Sequence, residues 1–503
     1  MRSKNAINNI ISSLLLQGIT IVCGFITPVL IIQAYGSEAN GLLASITQFL
    51  GYITLLESGF GPVVKSVLYK HIAEKNKDMI QRILKASEKF FRRIALIFVL
   101  YIIVLCFIYP MIVSTQFDVW FTISLLVIMA FSTLAEYFFG MTYTLYLQAK
   151  QKTYVTSILQ TITTILVTAS VVIMIKMGCN LQIVKLISAV FFILKPLVQS
   201  YYVHKKYGIN LNGVPSDYKI KQKWDGLAQH IAAVIHSNTD VVVLTLFSTL
   251  AEVSVYAVYM LVINGLKRIV QSFNNGIDAS FGDMIAKNEH EKLNKKFSTY
   301  ELFFHTISTI IFICAIVLIT PFVSIYTSGI NDADYVRPVF GVLIVISEFI
   351  WSVRLPYSST TLAAGHFKQT RKGAWIEAIT NIVISVILVF NFGIIGVAIG
   401  TIVAMSIRTI EFMYHNSRYI LRRSLLKSFT WLPIIAFETV VVCLICNFIL
   451  PISYGNYFDW AINALIVLAI SLVVVLPINA ISHKEELKDL LFVGKNLKRK
   501  EEK

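Results

Sequence analysis

The sequence contains few charged residues for its length, and this excludes most classes of soluble protein. Asp, Glu, Lys and Arg make up 14% of its 503 residues, whereas the residues AVILMFWYC make up 56%. A soluble domain carries about 25% charged residues, so this chain has too few polar side chains to cover a surface in water. The composition also excludes disordered, collagen-like and small disulfide-stabilised proteins. The sequence therefore predicts an integral membrane protein.

Cysteine is also scarce, and the six present do not indicate metal or redox chemistry. Only Cys443 and Cys446 have the CxxC spacing, and they lie in an apolar run without a second pair nearby. Buried cysteines ordinarily behave as small apolar side chains. We therefore predict no metal site and no cofactor, and leave open coupling to a H+ or Na+ gradient.

Long apolar runs occur along the whole chain. About 20 residues are needed to cross a hydrocarbon core of ~30 Å as a helix. Apolar runs bounded by polar clusters predict helices at residues 10–34, 41–69, 92–113, 119–147, 153–176, 181–203, 225–248, 253–285, 301–326, 337–363, 373–392, 395–417, 429–450 and 459–481. The first run is too long for the apolar part of a signal peptide, so we expect it to be retained. The predicted fold class is an all-α polytopic membrane protein with about 14 transmembrane helices.

The connections between these helices alternate in charge. Lys and Arg are concentrated before the first helix, in every second connection and in the tail from Lys484, whereas Glu38, Asp118 and Glu252 lie in the other connections. The positive-inside rule then places both termini in the cytoplasm. The net charge of +16 is explained by this topology and by attraction to membrane lipids, without nucleic acid. The short connections leave no room for a nucleotide-binding or catalytic domain, which indicates a protein that is not an enzyme.

The chain also resembles itself at an offset of about 215 residues. GFGPVVKSVLYKHIAEKNK from Gly59 corresponds to GIDASFGDMIAKNEHEKLNKK from Gly276, although any two membrane hairpins share some of this layout. Two units of six helices have the same orientation and are related by a pseudo-two-fold axis along the membrane normal. We expect an N-terminal six-helix lobe at 1–208, a C-terminal six-helix lobe at 209–424, two additional helices at 425–482 and a basic cytoplasmic tail at 483–503.

Basic side chains within the predicted spans are the first candidates for function. An ionisable group at mid-bilayer costs at least ~2.5 kcal/mol, so it requires a partner, a water-filled cavity or a function. Lys267 and Arg268 are adjacent and therefore point about 100° apart on their helix. Arg354 lies too far from Glu348 for an i,i+4 pair, so its counter-charge must come from another helix or a ligand. We interpret these positions as lone cations.

Other polar positions admit two interpretations. Asp240, in the stretch HSNTD, belongs either to a hydrogen-bonded cluster between helices or to a proton or cation site. Arg408 has Glu411 three residues further on, which allows either an intrahelical ion pair or a functional role. The spacing Gly396-x3-Gly400-x3-Ala404 predicts close helix packing rather than ligand binding.

Three stretches of the sequence resemble the polysaccharide (Wzx-type, O-antigen or capsule) flippases of the multidrug/oligosaccharidyl-lipid/polysaccharide (MOP) exporter superfamily. They are NNIISSLLLQGITIVCGFITPVLIIQAYGSEANGLLASITQFLGYITLLESGFG from Asn8, NTDVVVLTLFSTLAEVSVYAVYMLV from Asn238, and AAGHFKQTRKGAWIEAITNIVISVILVFNFGIIGVAIGTIVA from Ala363. The likeness covers most of the first 420 residues and depends on all three stretches together. It implies an exporter of the bacterial plasma membrane that moves an undecaprenyl-pyrophosphate-linked oligosaccharide by alternating access, with polysaccharide assembly proteins as partners.

The resemblance also implies roles for the intramembrane charges. Lys267, Arg268 and Arg354 are expected to contact the diphosphate, with Lys195 and Lys65 nearer the inner entrance. Ion coupling would fall to Asp240 or Glu57.

Three alternatives remain beside this reading. A lipid II flippase would need the same diphosphate contacts. A MATE-type multidrug or cation antiporter would favour a cavity rich in carboxylates, and a membrane-embedded polysaccharide polymerase would need a large outer loop.

Overall fold

The computed structural model of the protein describes residues 2–57, 59–113, 116–215, 218, 227–274, 277–450 and 455–490. No β-strand occurs in these ranges. The α-helices, in chain order, are α1 (Arg2–Tyr35), α2 (Ser37–Gly51), α3 (Phe60–Ala73), α4 (Lys77–Val113), α5 (Val119–Ala135), α6 (Met141–Ala149), α7 (Thr153–Lys176), α8 (Leu181–Tyr207), α9 (Leu227–Phe247), α10 (Leu250–Asn274), α11 (Ile277–Ala286), α12 (His290–Tyr326), α13 (Pro338–Ala363), α14 (Arg371–His415), α15 (Leu425–Phe429), α16 (Trp431–Ile449) and α17 (Tyr457–Ser482). The predicted all-α class is confirmed.

The predicted spans correspond to these helices, although those predicted at 41–69 and 253–285 are each divided between two helices. Twelve helices in the described part of the chain are long and apolar enough to cross a membrane. One of the twelve is the long segment Arg371–Leu421. That segment holds two predicted spans, because Gly393 has φ 53° and ψ −130° and interrupts α14. Asn238–Phe247 in α9 is a shorter apolar helix and accounts for the remaining predicted span.

Small residues allow the two halves of α14 to pack against each other. A Cβ atom added to Gly396 would lie 2.5 Å from the backbone carbon of Leu388, and one added to Gly400 would lie 2.3 Å from the Ser385 hydroxyl. Real Cβ atoms do not approach other atoms this closely, so only glycine fits. The packing role predicted for this glycine stripe is confirmed.

The chain forms two compact units, Met1–Ser254 and Val255–Lys503. The first contains α1–α9, with α1 packed against α7 and α5 against α8, and the second contains α11–α17, with α12, α13 and α14 in sequential contact. The lobes predicted with boundaries at 208/209 and 424/425 are drawn from the internal repeat, which a division by compactness does not test. Those boundaries stay a prediction. Most of 216–226, and residues 491–503 of the predicted tail, lie outside the described residues.

Two layers of side chains join α16 and α17 to α12 within the second unit. The apolar layer is made of Ile313, Val442 and Val475, which belong to one buried cluster. The aromatic layer is made of His305, Trp431 and His483: the Trp431 ring stacks on His483 at 4.0 Å and lies 5.0 Å from His305, centroid to centroid. Along α12 and α16 the aromatic layer comes before the apolar layer, whereas along α17 it comes after it. The helix α17 therefore runs antiparallel to α12 and α16.

The aromatic layer should make the end of α17 sensitive to acid. Burial lowers the pKa of His483 below its ordinary value of 6.5, and the charge of Lys427 adds to this effect while Glu486 opposes it. The unfolded chain then binds a proton more readily than the folded one, so stability is lost as the pH falls below about 6.5. We expect smaller hydrogen-exchange protection factors at the end of α17 at pH 5.5 than at pH 7.5, each calculated against the intrinsic exchange rate at that pH. His483→Phe keeps an aromatic ring without the titration, and an unchanged acid response in that variant would contradict this explanation.

Candidate substrate-binding site

Lys267, predicted to be a lone cation, has an acidic partner. Its Nζ lies 2.7 Å from Oε2 of Glu348 on α13 and 4.7 Å from the ring centroid of Trp351. Glu348 is 4% exposed, and its Oε2 accepts no well-aligned hydrogen bond, so the contact is mainly electrostatic. The interpretation of Lys267 as a lone cation is therefore wrong, because Glu348 on another helix pairs with it.

Arg354 and Arg408 share one buried acid. Arg354 Nη1 lies 2.6 Å from Oε1 of Glu377 on α14, and Arg408 Nε lies 3.5 Å from the other oxygen of the same carboxylate. Arg408 also contacts Glu411, as its spacing predicted, and donates a hydrogen bond to the Thr370 carbonyl oxygen at 2.9 Å. The counter-charge of Arg354 thus comes from another helix, the first of the two sources expected, and the interpretation of Arg354 as a lone cation is wrong.

Two of the remaining predicted cations have no partner among the described residues. Arg268 is exposed on α10 and Lys65 is half-buried on α3, and neither forms a hydrogen bond or ion pair with that part of the chain. Lys195, in contrast, is 3.3 Å from Oε2 of Glu136. These three positions and Lys267 therefore differ in how much of their charge is neutralised.

The predicted coupling residues both lie in the first unit. Asp240 is 4% exposed in α9. Glu57 ends the 3-10 turn Tyr52–Glu57 and accepts a hydrogen bond from the Tyr137 hydroxyl. Tyr137 belongs to the π-helical turn Glu136–Gly140, which also contains the partner of Lys195. A protonatable acid and an ion pair therefore meet at this single turn.

A cavity of about 390 Å³ opens beside that turn. Its walls come from α2, the 3-10 turn, α5, α7 and α8, and its polar lining consists of Thr47, Thr54, Ser132, Thr133, Tyr137, Lys185 and Ser188. Lys185 is half-buried and forms no hydrogen bond or ion pair with the part of the chain that the structure describes. The cavity thus contains one uncompensated positive charge, which is suited to an anion. Most of its hydroxyls, including those of Thr47, Ser132 and Ser188, donate to nearby backbone carbonyls and can only accept a further hydrogen bond.

Sequence reasoning missed Lys185, although a signal was available. It lies four residues after the start of α8, where a lysine ordinarily extends to the membrane interface. None of the residues three or four positions away is acidic, since they are Leu181, Gln182, Ser188 and Ala189. Lys185 has no acid at those spacings, and Ser188 lies on the same helix face. These two features would have identified Lys185 as a candidate binding residue.

The sequence matches no protein-family model and no curated protein. Solved structures nevertheless share its fold. A structure of the lipid II flippase MurJ in an inward closed conformation superposes with a TM-score of 0.71 at 15% identity, covering 95% of this chain and 100% of that chain. An inward-facing multidrug resistance MATE transporter of the MOP superfamily gives 0.57 at 14% identity, covering 80% and 94%. The Vibrio cholerae MATE transporter VcmN gives 0.56 at 15% identity, covering 84% and 99%. The chain is therefore a multi-pass membrane protein with the fold of MOP-superfamily transporters.

Proposed function

We propose that the protein is a flippase that moves an undecaprenyl-pyrophosphate-linked oligosaccharide across the bacterial plasma membrane by alternating access. The observation that carries this proposal is the uncompensated Lys185 charge in the hydroxyl-lined cavity of the first unit. A lysine ammonium attracts a phosphate as a point charge, and hydroxyls that already donate to the backbone can still accept hydrogen bonds from sugar hydroxyls. A cationic drug would instead be repelled by this cavity.

The extent of the structural similarity supports the same proposal. The MurJ superposition covers 95% of this chain, whereas the MATE superpositions cited cover 80% and 84%. MurJ is described as a lipid II flippase, and lipid II shares an undecaprenyl diphosphate with lipid-linked polysaccharide units. Lipid II is therefore the second candidate cargo, because the diphosphate contacts proposed here serve both.

The remaining cations take graded roles in this proposal. Arg268 has no acidic partner in the part of the chain that the structure describes, so it meets the diphosphate without breaking an ion pair there. Lys267 and Arg354 reach it by exchanging Glu348 and Glu377 for the ligand, since their side chains remain 24% and 12% exposed. Lys195 and Lys65 stand closer to the predicted inner entrance. Asp240 or Glu57 carries the coupling ion.

Replacing Lys185 with methionine tests the proposal by separating function from stability. We expect transport to fall at least about tenfold, because a charge-assisted hydrogen bond contributes ~1.5–3 kcal/mol. Thermal stability should stay the same or rise, because the variant removes a charge that has no partner. Transport is measured in proteoliposomes as dithionite-resistant fluorescence of a labelled undecaprenyl-pyrophosphate oligosaccharide.

Lys176→Met is the matched control, since Lys176 ends the neighbouring α7 and is exposed. It should transport like the parent protein. Parallel assays with labelled lipid II and with ethidium identify the cargo. The proposal would be overturned if the protein transported ethidium but neither of the two diphosphate lipids. Full transport by Lys185→Met would also overturn it.

A further inference from the structure

Three buried polar side chains between α12, α16 and α17 have unused hydrogen-bonding atoms. Thr309, Glu438 and Asn479 are 0%, 0% and 2% exposed. Thr309 Oγ1, both carboxylate oxygens of Glu438 and Asn479 Oδ1 have no hydrogen-bond partner. An orphaned buried polar atom is rare in folded proteins and calls for a ligand, a water or an ion.

Helix geometry places these three side chains within about one turn of the same level of the helix bundle. On each helix the polar residue lies four positions from the residue of the apolar layer, in the direction of the aromatic layer. The pairs are Thr309 with Ile313, Glu438 with Val442 and Asn479 with Val475. Four residues correspond to about 6 Å along the helix axis and return to nearly the same face. Asn479 also donates a hydrogen bond from Nδ2 to Thr306 Oγ1 at 3.2 Å, which holds it against α12. The three residues therefore form a polar layer between the apolar and aromatic layers.

The charge of Glu438 requires a compensating group. No basic side chain in the described ranges forms an ion pair with it, and its position is near the middle of α16. An unpaired carboxylate is expensive at this depth, so a proton or a cation must neutralise it.

The polar atoms around Glu438 are oxygens of the kind that coordinate a hard cation. One amide hydrogen of Asn479 is donated to Thr306, and its carbonyl oxygen accepts no hydrogen bond. A hard cation is coordinated by several oxygens at once, and a carboxylate, an amide carbonyl and a hydroxyl are all suitable ligands. With only one carboxylate, the layer balances one positive charge.

We propose that Glu438, Asn479 and Thr309 form a binding site for a monovalent hard cation of the Na+ type. A cation bound there ties α16 and α17 to α12 and stabilises the folded state by mass action. The site is distinct from Asp240 and Glu57, which belong to the first unit. It does not depend on which cargo the protein carries.

The test is equilibrium binding of radioactive 22Na+ to the purified full-length protein in detergent, at constant ionic strength with N-methylglucamine as the replacing cation. We expect saturable binding that Glu438→Gln weakens at least about tenfold, as loss of a metal-site partner typically does. Thermal unfolding in NaCl should shift upward in the parent protein and not in that variant.

Asp459→Asn is the matched control, because it removes an exposed carboxylate from the start of α17. It should bind like the parent, and Asp240→Asn reports any second ion in the first unit. Thr309→Val repeats the test if Glu438→Gln fails to fold. Binding unchanged in Glu438→Gln, or a response to pH with none to Na+, Li+ or K+, would overturn the site.

Discussion

Replacing Glu377 with glutamine is expected to destabilise the second unit by about 3–5 kcal/mol, since breaking a buried ion pair leaves a charge without compensation. Its carboxylate lies between Arg354 and Arg408, at 2.6 Å and 3.5 Å, and its side chain is 8% exposed. Arg408 keeps Glu411 in the variant, but Arg354 loses the carboxylate beside it. Thermal or denaturant unfolding in one detergent measures the loss.

A double variant separates the structural role of Arg354 from its proposed contact with the diphosphate. Arg354→Gln combined with Glu377→Gln removes both charges, so most of the lost stability should return. Transport should remain low if Arg354 contacts the cargo. Glu291→Gln, at an exposed position in α12, is the control for loss of one acid. Recovery of both stability and transport in the double variant would show that the pair is purely structural.

The membrane spans could be predicted because the length and hydropathy of each apolar run are local properties of the sequence. The bounds of α7, Thr153–Lys176, match the predicted 153–176, since polar residues end that apolar run on both sides. Short interruptions were not predicted. The helix predicted at 41–69 is divided by the turn Tyr52–Glu57 and by Gly59, which has φ 73°. A single residue with positive φ alters neither the hydropathy nor the length of an apolar run.

The partners of charges could be predicted only within one helix. The contact between Arg408 and Glu411 follows from a spacing of three residues, whereas Glu348 reaches Lys267 from a helix distant in the sequence. The apolar periodicity of a helix does not indicate which other helix packs against it. Glu438 escaped notice for a related reason: a single acid in the last pair of apolar helices changes their mean hydropathy little. Its importance becomes visible only with its complete burial.

Replacing Gly41 with alanine is expected to cost about 3 kcal/mol, at the upper end for overpacking. A Cβ atom at Gly41 would lie 1.8 Å from the backbone oxygen of Leu250, and backbone cannot move aside as a flexible side chain can. The helices must separate, which strains the hydrogen bonds on either side. These are Asn40 Nδ2 to Ser254 Oγ and Ser45 Oγ with Thr245 Oγ1, each at 2.8 Å.

The same substitution at Gly24 in α1 should have the opposite sign. No heavy atom lies within 4 Å of a Cβ added there, and alanine is favoured over glycine in a helix by about 1 kcal/mol. Both variants are compared with the parent by thermal unfolding in the same detergent. Because the chemical change is identical, a difference between them isolates the close approach of α2 to the start of α10. Equal unfolding temperatures for Gly41→Ala and Gly24→Ala would mean that these helices are not in contact at that point.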